Sequence, residues 1–270
     1  TQSCNTCHNL SNYGVVNEAR SLGDDGISVG TRNAPTVLNA ALYFRQFWDG
    51  RAANVEDQAG MPILNEIEMG IPNEQFLVDR LKNIKGYEVL FKQAYPEEAA
   101  PLTFENIRKA IAAFERKLVT PSAFDRYQAG DDEALTVAEK RGLSAFMGLR
   151  CVNCHTTNTF GGSMYERRGF YNNFKAISGS PSQDQGLYEI TGVIEDTLLF
   201  KVPSLRNIVH TGPYFHDGYI TDLREAVRIM GKAQLDEDLS ERQIDQLITF
   251  LNALTGEVPE KYQKAPPMPQ

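Results

Sequence analysis

Two stretches of the chain share one pattern: SCNTCHNL, holding Cys4, Cys7 and His8, and RCVNCHTT, holding Cys151, Cys154 and His155. Each sets two thiols three residues apart, with an imidazole directly after the second. Three chemistries use a Cys-x-x-Cys pair. A thioredoxin-like redox pair sits in a βαβ pattern, which is absent around both copies. A structural zinc site completes itself with nearby Cys or His ligands, and neither copy has a local second pair. Covalent haem attachment needs both thiols for the porphyrin vinyl groups and the adjacent His for the iron; both copies supply them. The two motifs use all four cysteines, so none is left for a structural disulfide. Two covalently bound c-type haems are the expected cofactors.

The sixth ligand decides what each haem does. Two strong axial ligands make an electron carrier, whereas an open position can bind and activate a small molecule. Opposite His155 the candidates are Met164, Met230, Met268, His210 and His216. Met230 stands just ahead of Gly231 and the last helix, where a class I cytochrome c places its thioether, and is the expected ligand. A methionine beside Val227 would otherwise be core filler. Opposite His8 the first half offers Met61 and Met69 and no further histidine; if neither binds, that haem is open.

Helices must hold these groups. Asn73 is placed to cap a helix carrying Phe76, Leu77, Leu81 and Ile84. Thr103 is placed to cap another, with Ile107, Ala110, Ile111, Phe114 and Leu118 on one stripe, stopping at Thr120-Pro121. Thr136 with Glu139, Asp222 with Glu225, and Ser240 with Gln243 have capping-box spacing. They precede, in turn, Leu143 and Phe146, Val227 and Met230, and Ile244, Leu247, Ile248, Leu251 and Leu254. Gly256 and Pro259 end the last helix. The second half thus reads helix, Cys-x-x-Cys-His, long loop, Met, terminal helix, and the first half repeats this order without its opening helix. The expected fold is mainly α, with two class I cytochrome c-like domains and long irregular loops. Residues 1–125 form the first domain, 126–256 the second, and 257–270 an extended Pro-rich tail. A polar link is expected near 121–132, and a long loop over 161–203.

Composition narrows the partners. A net charge of -8 argues against nucleic acid and anionic membranes. No run of about 18 apolar residues occurs, so no membrane-spanning helix is expected. The chain opens three residues ahead of Cys4, which suggests processing or trimming of the N-terminus, and the lack of a visible signal peptide then says little. Covalent c-haem is assembled outside the bacterial cytoplasm, so a periplasmic location is expected.

The stretches SCNTCHNLS, PTVLNAALYFRQFWDGRA, QAGMPILNEIEM, FERKLVTP, FKVPSLRNI and GPYFHDG make the chain similar, over essentially its whole length, to the bacterial di-haem cytochrome c peroxidases, a family that includes the MauG-type enzymes. The resemblance implies a peroxidatic N-terminal haem on Cys4, Cys7 and His8, and a high-potential electron-transfer haem on Cys151, Cys154, His155 and Met230. MauG-type enzymes hold Tyr where Met230 stands, which favours the peroxidase branch. Glu68 matches the family's distal acid-base glutamate and Gln58 its distal glutamine. A carboxylate there can carry the proton that peroxide must move between its oxygens. Trp48, the single Trp, falls where the family has an aromatic residue between the haems. Asn33, Thr211 and Pro213 match a calcium site, and hard oxygen ligands suit that ion. His216 is read as a polar or propionate contact, and His210 as structural. The implied partners are hydrogen peroxide, a small donor protein (cytochrome c or cupredoxin) and a second copy in a homodimer. Two rival readings remain: a di-haem electron-transfer cytochrome without substrate chemistry, and a MauG-like oxidase of a partner protein.

One position departs from the family. Many members hold a second His on the resting reactive haem, from a short loop; the matching loop here is SLGDDG, with Asp24 at that position. Aspartate is a weak ligand for haem iron. The expectation is a first haem open or water-bound at rest, with reductive activation weakened or lost.

Overall fold

Caps set within three or four residues start most of the long helices. The Asn73 side chain accepts from Phe76 N–H at 2.9 Å, and that of Thr103 from Asn106 N–H at 3.2 Å. Thr136 with Glu139 and Ser240 with Gln243 close reciprocal capping boxes. The computed structural model describes residues 2–269. Its helices are α1 (Cys4–Cys7), α2 (Val55–Leu64), α3 (Glu74–Lys82), α4 (Lys85–Ala94), α5 (Phe104–Glu115), α6 (Ala123–Gln128), α7 (Val137–Gly148), α8 (Phe174–Ser178), α9 (Tyr188–Thr191), α10 (Leu223–Leu235), α11 (Glu241–Asn252) and α12 (Glu260–Gln263). The two short strands β1 (Tyr165–Arg167) and β2 (Leu199–Lys201) pair antiparallel, with Glu166 opposite Phe200. The fold is mainly helical, and no helix among the described residues is long and apolar enough to cross a membrane.

Several elements differ from the sequence expectation. Helix α3 stops at Lys82, and Ile84 instead precedes α4, which the periodicity did not show; Asn83, a weak helix former, caps α3 and divides the run. Helix α5 ends at Glu115, leaving Leu118 outside it. Asp222 caps α10, but Glu225 does not complete a box; its carboxylate is held by Arg228 at 2.5 Å instead. The expected polar link carries α6, whose Phe124 is buried in the second-half core. The expected loop over 161–203 contains β1, β2, α8 and α9, and the tail contains α12.

Apolar clusters form in each half. Ile63, Val78, Phe91, Leu102, Phe104 and Ile107 make one where α2, α3, α4 and α5 meet. Phe124, Phe146, Phe160, Phe250 and Leu251 make another around the α7–α11 crossing. Gly142 permits that crossing: a Cβ there would lie 2.2 Å from the Gln246 carbonyl oxygen. The tail returns to the first half, with Val258 and Tyr262 packed on Leu10, Leu38 and Leu118.

The two halves also share one corner, repeated at a constant displacement along the chain. Asn39 and Asn207 both adopt left-handed backbone (φ 61 and 60) and open one-turn 3-10 helices at Ala40–Leu42 and Ile208–His210. Both are buried, and both donate their side-chain amide to the Thr120 hydroxyl oxygen at 2.9 Å. The corners continue to matching bridges, Gln46 with Ala52 and Tyr214 with Ile220. Phe47 and Phe215 both have positive φ, 70 and 67. Trp48 and His216 therefore occupy equivalent places, as do the capped starts of α2 and α10.

Candidate functional site

In the second half, α7 delivers the chain to Arg150, whose left-handed backbone (φ 65) opens a one-turn helix at Cys151–Asn153. The His155 ring is buried, and its Nδ1 lies 3.0 Å from the Phe160 carbonyl oxygen. A donor N–H at Nδ1 leaves the Nε2 lone pair for a metal. Burial holds the imidazole pKa below its ordinary value, which keeps the ligating neutral form. Gly161 (φ 134) closes this loop, where a Cβ would lie 2.1 Å from the Pro203 carbonyl oxygen. A cavity of about 260 Å³ opens here, lined by Cys151, Cys154, His155, Met230 and Trp48 among others. Met230 faces it from α10. Met268 is 68% exposed and lies outside the lining, as do Met164 and His210.

The first half repeats the arrangement. Ser3 and Thr6 close a capping box on α1, which carries Cys4 and Cys7 on a single turn. None of the four thiols is in a disulfide. His8 follows directly, its imidazole pKa lowered by burial. Its Nδ1 is buried and makes no hydrogen bond of ordinary geometry, although the backbone of Gly14 and Pro35 lies beside it. Two unpaired thiols on one turn beside an imidazole whose Nδ1 is buried, present twice, fit covalent haem in both places.

The expected distal groups lie on α2 and the turn after it. Gln58 is on α2; the Glu68 carboxylate accepts from Asn65 Nδ2 at 2.8 Å. Gln58 and Glu68 make no hydrogen bond with each other. Burial raises the Glu68 pKa, opposed by the Arg51 charge and by the Asn65 bond. Arg51 is itself fixed by the buried Asp49 at 2.9 Å, and sequence reasoning missed it. Met69 packs against the first-half apolar cluster. Met61 is 40% exposed and lines an outer pocket with Arg45 and Arg108. At the displacement that relates Asn39 to Asn207, Met230 corresponds to Pro62 of α2, which has no ligating side-chain atom.

The Asp24 loop rests on this turn. The Asp24 N–H donates to the Glu68 carbonyl at 2.8 Å, and the Asp24 carboxylate accepts from Gln2 N–H at 2.8 Å. Asp25 folds the loop by accepting from Ile27 and Ser28.

Trp48 and the three residues expected at a calcium site come together on the cavity between the halves. Trp48 Nε1 donates to the Asn33 carbonyl at 2.9 Å, and Asn33, Thr211 and Pro213 line the same cavity. Asn33 Nδ2 donates to the Glu18 carbonyl at 3.1 Å. His216 is buried; Ser182 Oγ lies 3.0 Å from its Nε2, and Arg168 Nη1 lies 2.8 Å from its Nδ1. Burial and the Arg168 charge push its pKa down to about 4. Its ring nitrogens are thus occupied by protein groups. His210 stacks on Tyr13 at 4.0 Å across the two halves.

Residues 1–133 match the family model for di-haem cytochrome c peroxidase. The chain is 42% identical to the cytochrome c551 peroxidase of Pseudomonas aeruginosa, over 95% of this chain and 74% of that protein. It is 33% identical to the methylamine utilization protein MauG of Methylophilus methylotrophus, over 94% of this chain and 76% of the relative. Among solved structures, a MauG-like protein associated with microbial copper homeostasis superimposes with a TM-score of 0.82 at 27% identity, covering 98% of this chain and 86% of its own.

Proposed function

The chain belongs to the di-haem cytochrome c peroxidase family, and from that premise we propose that it reduces hydrogen peroxide to water with electrons from a small redox protein, a cytochrome c or a cupredoxin. One contrast carries the reading: Met230 faces the cavity that His155 lines, whereas the equivalent first-half position is Pro62. One site is built with a sixth ligand, and the other is left open for substrate.

Cys4, Cys7 and His8 would hold the reactive haem; Cys151, Cys154, His155 and Met230 would hold the electron-transfer haem. Bound there, these groups supply the iron that receives peroxide and the electrons that break its O–O bond. The rest falls to the chain. Glu68 takes the proton from one peroxide oxygen and returns it to the other; its raised pKa brings donor and acceptor forms closer to balance near neutral pH. Gln58 orients peroxide or water. Arg51 holds positive charge beside Glu68. Trp48 lines the second-half cavity and would relay electrons between the sites. Asn33, Thr211 and Pro213 would seat one calcium ion by oxygen atoms at the junction of the halves. The two haem domains would meet near residue 125. A periplasmic location and a homodimer complete the reading.

Met230 favours peroxide reduction over oxidation of a partner protein, and Pro62 disfavours a simple electron carrier. The test is peroxide turnover with a reduced small cytochrome, begun from fully oxidised and from one-electron-reduced holoprotein. Equal, fast turnover from both is expected, because the Asp24 carboxylate is committed to Gln2 and provides no strong ligand to remove. No turnover from either would exclude the peroxidase reading.

A further inference from the structure

Lys201 ends β2 and is only 7% exposed, between the buried Phe200 and Val202. Its backbone is fixed: the N–H donates to the Trp48 carbonyl at 2.8 Å, and the residue pairs with Tyr165 across the sheet. Its ammonium lies 4.7 Å from the centre of the Tyr43 ring. No carboxylate among the described residues lies within ion-pair reach of it. The acid whose field reaches it is Asp49, which Arg32 and Arg51 already hold. Burial pushes the Lys201 pKa down to about 8. A buried ammonium is costly unless an anion meets it.

Lys201 lines the cavity that also holds Trp48, His155 and Met230. Arg168 lines it too, and its Nε is buried without a hydrogen-bond partner. A buried lysine and a half-buried arginine thus border one largely apolar cavity at the place where a haem must fit. A haem brings its own anions there, the propionate carboxylates.

We propose that Lys201 is the counter-ion of a haem propionate on the wall of the cavity it shares with His155 and Met230, with Arg168 beside it, and that its charge holds up the reduction potential of that haem. The inference rests on the haem reading above. Reduction adds an electron to the iron, and a fixed positive charge in a poorly screened cavity favours the reduced form. Either haem can provide the carboxylate, and the haem whose potential responds identifies the source.

The experiment is a spectroelectrochemical titration of both haems in the holoprotein, comparing wild type, Lys201→Met and Lys201→Arg. Lys201→Met is expected to lower one midpoint by at least the 59 mV that marks a tenfold change in a one-electron equilibrium. Lys201→Arg is expected to keep the wild-type value. Lys201→Gln gives the same readout if Lys201→Met fails to load haem. Unchanged midpoints in both charge-removing variants overturn the proposal; a merely structural lysine would alter stability and leave the potentials in place. The titration uses no peroxide, so a protein with two haems and no turnover still decides the Lys201 question. A wild-type protein without covalent haem, read by its pyridine haemochrome spectrum, overturns both readings.

Discussion

Thr120→Val isolates the joint between the two halves. Thr120 is fully buried, and its hydroxyl oxygen accepts one side-chain N–H from Asn39 and one from Asn207, each at 2.9 Å. Valine keeps the shape and removes that acceptor. The Thr120 N–H still reaches the Asn39 side-chain oxygen at 3.0 Å, and Gly256 N–H still reaches that of Asn207 at 2.9 Å. Two buried amide donors are stranded, at about 1–3 kcal/mol each. The added methyl returns about 0.8 kcal/mol. The expected loss is about 1–5 kcal/mol, measured by urea unfolding of the holoprotein followed by far-UV circular dichroism. Thr120→Ser keeps the oxygen and is expected to lose only about 1 kcal/mol, for the methyl. Asn39→Ala combined with Thr120→Val should cost less than the sum of the single changes, because both remove one contact. A Thr120→Val protein within about 0.5 kcal/mol of wild type would refute the reasoning.

The other predictions concern the chemistry and its pH dependence. Glu68→Gln is expected to lower kcat/KM for peroxide by about 10²–10⁴-fold, with a native absorption spectrum. Because the Glu68 carboxylate is the base form and its pKa is raised, the wild-type rate should climb with pH through a midpoint above the ordinary glutamate range, and this limb should vanish in the variant. Burial pushes Glu115 from 4.5 up to about 7. A raised acid contributes stability that is full below its ordinary value and lost as pH rises through about 7. Glu115→Gln should therefore gain about 1–2 kcal/mol over wild type at pH 8 and little at pH 4, after discounting for its partial solvent contact. Met230→Ala should remove the methionine–iron charge-transfer band of one haem and lower its midpoint potential; an unchanged spectrum would assign the sixth ligand elsewhere.

Local chemistry was legible from the sequence. Cys-x-x-Cys-His is complete within five residues, and the caps of Asn73, Thr103, Thr136 and Ser240 act within three, so the covalent chain itself sets their spacing. The half-box at Asp222 shows the limit of that logic, because Arg228 takes the Glu225 carboxylate that would close the box. The resemblance carried Glu68, Gln58 and Trp48, which composition and periodicity alone would have left among ordinary surface and core residues.

Only the tertiary structure joined residues distant in the chain. Thr120 meets Asn39 and Asn207 across separations of 81 and 87 positions. Trp48, Met230 and the His155 segment meet on one cavity that no local spacing encodes. A hydrogen bond within one helical turn fixes few dihedrals, whereas a contact across 80 residues requires a closed loop and a packed core to hold it. The sequence by itself therefore determined what can bind haem. The fold decided that Met230 and the buried Lys201 share one cavity, and that Pro62 takes the place in the first half that Met230 takes in the second.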